Sequence, residues 1–119
     1  MEETAMGVEL NLLPLLYRDQ WLSHEIIYLA KDYDLWERID ALPQKEIPQP
    51  ISCYLATDGS GEKKYGLILK TPYGKPITYV TASDLLQIDL SEDASWREKA
   101  VWAYLAQMPP DRQICLYWF

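Results

Sequence analysis

The sequence predicts an α+β domain with N-terminal helices, a three-stranded antiparallel meander, then a C-terminal helix and a final strand, the helices packed on one face of the sheet. Three observations carry this. Apolar residues recur at helical spacing early in the chain, the middle alternates with a period of two between turn signals, and a capping box followed by a proline pair brackets a later helix. At 119 residues the chain is one domain's worth of polypeptide. It divides into a helical half over 1–43, a proline-rich linker over 44–50, and a sheet with C-terminal helix over 51–119.

Residues 1–9 are acidic and aperiodic and are expected to fray. Pro14 suits the first turn of a short helix capped near Asn11, with Leu15, Leu16 and Tyr17 opening an apolar run. From Asp19, a good N-cap, Leu22, Ile26, Leu29, Tyr33 and Trp36 follow at spacings of four, three, four and three. That stripe predicts a long helix. Asp34 and Glu37 have capping-box spacing, so the helix can break there and restart through Trp36, Ile39 and Leu42 before Pro43. Pro43, Pro48 and Pro50 remove backbone donors and mark the linker.

Ile51, Cys53 and Leu55 alternate with Ser52, Tyr54 and Ala56, a strand over 51–57. Asp58-Gly59-Ser60-Gly61 is turn chemistry, and residues 65–71 read as a second strand with Tyr65, Leu67 and Leu69 on a common core face. Pro72-Tyr73-Gly74-Lys75 signals another turn, and residues 77–81 supply the third strand of the meander. Acidic and apolar residues mix over 83–93, where an anchored loop or one helical turn fits. Ser95 and Glu98 form a capping box that opens a helix with Val101, Trp102, Leu105 and Met108 on its core side, stopped by Pro109-Pro110. Ile114, Leu116 and Trp118 then alternate with Cys115, Tyr117 and Phe119. Both sets are apolar, so this final strand should be covered on both faces or partly covered by a partner.

Composition narrows the function. The chain carries a net charge of −7, and its isoelectric point is near 4.6; both oppose sequence-independent binding to polyanions, so nucleic acid is an unexpected partner. No apolar run approaches the ~18 residues of a membrane span, and Met1-Glu2-Glu3-Thr4 lacks the order of a signal peptide, so the cytoplasm is the expected address. Cys53 and Cys115 sit singly in apolar strands, the pattern of buried reduced thiols rather than of a metal site. Glycines and a lysine lie close together over 59–66, but a phosphate loop leads from strand to helix, whereas this stretch leads from strand to strand. His24, the single histidine, falls off the apolar stripe and reads as a solvated surface residue. No catalytic residue, metal or cofactor is assigned.

Charge is unevenly spread. The chain holds ten acids and four bases up to residue 50, two and four over 51–82, and six and three thereafter, so Lys63, Lys64, Lys70 and Lys75 decorate the hairpins while the helical parts are acidic. Five Trp and nine Tyr against one Phe favour half-buried positions and interfaces. On the long helix, Trp21, Glu25, Tyr28 and Asp32 share a face outside the core stripe. Aromatics rimmed by acids have the composition of a protein-binding patch, and this is the candidate site. The expected function is therefore a small, acidic, non-catalytic binding or regulatory protein: an inhibitor, immunity-type protein, adaptor or assembly factor. An acidic mimic of nucleic acid would be a special case. The alternative is a small-molecule site or small enzyme with a cleft between sheet and helices lined by Tyr54, Tyr65, Tyr79 and Trp102. The sheet aromatics and the terminal Tyr117, Trp118 and Phe119 are the next candidates for a binding surface.

Overall fold

A computed structural model describes residues 9–29, 31–56 and 63–119, with the side chains of 54–56 and 63–65 outside that description. In chain order the strands are β1 (Leu10–Pro14), β2 (Leu22–Ser23), β3 (Ile27–Tyr28), β4 (Lys45–Glu46), β5 (Ile51–Ala56), β6 (Lys63–Ile68), β7 (Thr78–Thr81) and β8 (Gln113–Trp118). The helices are α1 (Tyr33–Asp40), α2 (Ala82–Leu86) and α3 (Trp96–Ala106). A five-stranded antiparallel sheet runs in the order β3-β1-β8-β7-β4, and a smaller sheet in the order β2-β5-β6.

β8 shows why the layers form. Ile114 and Leu116 point to a core shared with the three helices, which includes Leu35, Ile39, Leu85, Val101 and Leu105. Cys115 points the other way, into a second core with Leu13, Leu15, Ile51 and Ile77. Its two apolar faces are therefore both covered, by helices on one side and the small sheet on the other.

The N-terminal helices are not formed. Leu10–Pro14 is a strand between β3 and β8. Pro14 is tolerated there for a positional reason. Glu9 and Leu15 donate their N–H groups to β8, at 2.7 Å to Phe119 O and 2.9 Å to Gln113 O, so the even-numbered residues direct theirs to the opposite side. There β3 ends opposite Leu12, and no ladder bond is lost at Pro14. Asp19 is not a helix N-cap but a turn residue at φ 59°, a conformation that Asp tolerates better than most. Its N–H donates to Gln113 Oε1 at 2.7 Å and its Oδ1 accepts from Gln113 Nε2 at 2.9 Å.

Residues 22–29 cross from the small sheet to the edge of the large one, with Ile27 and Leu29 buried and Tyr28 exposed. Helix forms only from Tyr33, where Asp32 rather than Asp34 caps it by accepting from Leu35 N. The proline-rich stretch also contributes structure. Lys45 and Glu46 pair with β7, and Ile47 is buried in the second core.

β5 and β6 form the expected antiparallel pair, with the turn at 58–61 lying outside the described residues. The core face of β6 is the reverse of the sequence reading: Ile68 packs inward, while Leu67 is 76% exposed. The meander also ends early. Thr71 N donates to Lys75 O and Ile77 N to Leu69 O, so the Pro72–Lys75 turn exists, with Gly74 at φ 84°. Beyond it, β7 leaves β6 and pairs with β4 and β8. Thr81 and Asp84 make a capping box that turns part of the 83–93 stretch into α2, and the Ser95–Glu98 box opens α3 as its spacing indicates.

Candidate functional site

Trp21, Glu25, Tyr28 and Asp32 do not share a helical face. Trp21 belongs to the second core, its ring 5.1 Å from Tyr79 at 62°. The other three run along α3. Glu25 Oε2 accepts from Tyr104 Oη at 2.7 Å, Tyr28 O accepts from Arg97 at 2.8 Å, and Asp32 lies against Glu98. These contacts raise the Tyr104 phenol above its usual range, first through its bond to Glu25 and then through burial. Tyr28 is raised chiefly by donating to Glu9, at 2.9 Å. Three of the four candidates thus fasten the N-terminal segment to α3.

The aromatic cleft expected from Tyr54, Tyr65, Tyr79 and Trp102 is not assembled. Tyr79 packs in the second core, whereas Trp102 packs against the first and donates Nε1 to Ile88 O at 3.0 Å. The five-stranded sheet separates them. The side chains of Tyr54 and Tyr65 lie outside the described residues.

A different cleft exists, and the sheet register creates it. β7 begins at Thr78, opposite Leu116, so Trp118 extends beyond the end of its neighbour strand and is left uncovered there. α1 closes one side with Tyr33, Trp36, Glu37 and Asp40, at helical positions i, i+3, i+4 and i+7. The Thr71–Pro76 turn closes the other with Tyr73 and Lys75. The volume is about 480 Å³. Tyr33 and Trp36 meet edge to face at 5.6 Å and 83°, and Trp36 and Trp118 at 6.0 Å and 88°.

Polar groups around the cleft are unevenly satisfied. Thr71 Oγ1 accepts from the N–H groups of Tyr73 and Lys75, fixing the turn, while Gln44 accepts from Thr78 Oγ1 and donates to Asp40 O. Arg38 is drawn away to Asp34 at 3.2 Å and to the Asp89 carbonyl. Among the described residues, neither the Glu37 nor the Asp40 carboxylate is held by a hydrogen bond or ion pair. Trp36 is only 4% exposed, and its indole N–H has no acceptor among the described residues.

Compared with family models, curated proteins and solved structures, the chain has no significant match. Its cysteines are buried and free, and burial pushes the Cys115 thiol up to about 12, which keeps it protonated and a poor nucleophile. His24 is exposed, and no group of His, Cys, Asp and Glu among the described residues could hold a metal ion. No described helix is long and apolar enough to cross a membrane. The cleft residues were visible in part. Tyr33, Trp36, Glu37 and Asp40 have one-face spacing, but Tyr33 and Trp36 also complete the longer apolar stripe that begins at Leu22.

Proposed function

We propose that this protein is a non-catalytic binding module that engages a protein partner through the cleft between α1, the Thr71–Pro76 turn and Trp118. The observation that carries the reading is the coincidence of exposed aromatics with carboxylates unpaired among the described residues around one opening: Tyr33 and Tyr73 face it from opposite sides, 57% and 60% exposed, and Glu37 and Asp40 rim it beside Tyr33. Aromatic anchors inside a charged rim are the usual anatomy of a protein-binding hot spot. This reading moves the aromatic–acid combination expected at Trp21 to Asp32 further along the chain, to a face where the Glu37 and Asp40 carboxylates make no hydrogen bond or ion pair among the described residues.

A small-molecule reading has its own support, since a volume near 480 Å³ falls in the range of ligand pockets. Retention experiments separate the two. A partner held by the immobilised chain should be lost from Tyr33→Ala with Tyr73→Ala, because truncating a well-packed interface aromatic costs about 2 kcal/mol or more. Glu37→Gln should instead weaken retention mainly at low salt. Loss in Trp21→Ala with Tyr28→Ala, but not in the cleft variant, would move the site to the segment beside α3. Retention by both variants, each folded by circular dichroism, would remove both surfaces.

A further inference from the structure

We propose that the cleft takes an alkylammonium group, presented as a lysine side chain on a segment of the protein partner. This rests on the binding reading above and names what that site accepts. The ring geometry comes first. Tyr33 and Tyr73, 57% and 60% exposed, border the cleft, and Tyr33 and Trp36 meet at 83° as Trp36 and Trp118 do at 88°, so aromatic surface lines the opening in more than one plane. A planar guanidinium or nucleobase stacks on one face at a time, whereas a tetrahedral ammonium with its flanking methylene groups touches several ring surfaces together.

Charge points the same way. Among the described residues, Glu37 and Asp40 place two unpaired carboxylates at the opening against one cation, Lys75. An anionic ligand would meet the carboxylates, while a cation gains from them as well as from the rings. Lys75 then opposes the ligand, which fixes the sign of a decisive substitution.

The test titrates short capped peptides with a central lysine, trimethyllysine, arginine or glutamate into the full chain, following the indole N–H signals of Trp36 and Trp118 by NMR. Lysine and trimethyllysine peptides should shift both signals to saturation, and the glutamate peptide should not. Glu37→Gln with Asp40→Asn should weaken lysine binding by about ten-fold, and Lys75→Ala should tighten it. Binding of the glutamate peptide, or weaker lysine binding in Lys75→Ala, would overturn the ammonium assignment, as would a clear preference for arginine. If no peptide binds while a retained partner is still lost from Tyr33→Ala with Tyr73→Ala, the lysine inference fails and the binding module stands. If tetramethylammonium shifts the cleft signals while none of the peptides does, the lysine inference and the protein-binding reading fail together.

Discussion

Glu98 closes the capping box of α3 with one carboxyl oxygen and buries the other. Oε1 accepts from Ser95 N at 3.0 Å, whereas no donor reaches Oε2, and the residue is 5% exposed. Burial, and then hydrogen bonding to the neighbouring Asp32 carboxyl, push Glu98 above its ordinary 4.5. Protonation removes the charge that burial penalises and relieves the repulsion between the Glu98 and Asp32 carboxylates. An acid with a raised folded pKa holds its proton more tightly in the fold than in the unfolded chain. Its stabilising contribution is therefore full below 4.5 and is lost as pH rises through the folded value. Glutamine keeps the Oε1 acceptor and offers a permanent donor in place of Oε2. Glu98→Gln is expected to be more stable than wild type at pH 7 by about 1 kcal/mol, the worth of one hydrogen bond. It should also flatten the fall in stability that wild type shows above the ordinary carboxylate range. Urea unfolding across mildly acidic and neutral pH measures both effects, and parallel curves of equal height would show that Glu98 titrates as an ordinary surface acid.

Among the elements, β6 and β8 make the sharpest contrast. Leu67 projects from the small sheet into solvent, while Leu116 lies between β1 and β7, only 1% exposed. Leu67→Ala is expected to change stability by no more than about 0.5 kcal/mol, and Leu116→Ala to cost about 2–5 kcal/mol, both measurable by chemical unfolding. The same contrast shows what could be read from the chain. β8 was legible as a strand because both of its alternating faces are apolar and call for cover, and α3 because Ser95 and Glu98 satisfy each other's backbone groups. β6 misled because Tyr65, Leu67 and Leu69 outweigh Ile68 in apolar count, and a shift of one residue reverses every side chain. Residues 19–29 misled more deeply. Leu22, Ile26 and Leu29 fit a helix in isolation, yet Ile27 and Leu29 are buried on either side of exposed Tyr28, a two-residue alternation that long-range pairing with β1 selects. The cleft was illegible because it arises from the mismatch in length between β7 and β8, which no local pattern records.

At the scale of the whole molecule, two cores share one set of strands. Leu12 and Leu13 are neighbours in β1 and face opposite cores, as Ile114 and Cys115 do in β8. Loss of either core strips a face from the same strands, so the two should melt together. Trp21 reports on one and Trp36 on the other. With 5-fluorotryptophan incorporated, their fluorine signals are expected to disappear at the same urea concentration, and earlier loss of Trp21 would show the small sheet opening by itself. The position of β8 has one more consequence. Leu12 pairs with Leu116, so β1 leaves the ribosome well before its central partner is made, by roughly 5–20 s at ordinary rates of translation. Through that interval the apolar run from Leu10 to Leu16 has no β8 to cover it. A newly made chain thus carries an uncovered apolar segment for that interval, and completion of the five-stranded sheet waits for β8 to be synthesised.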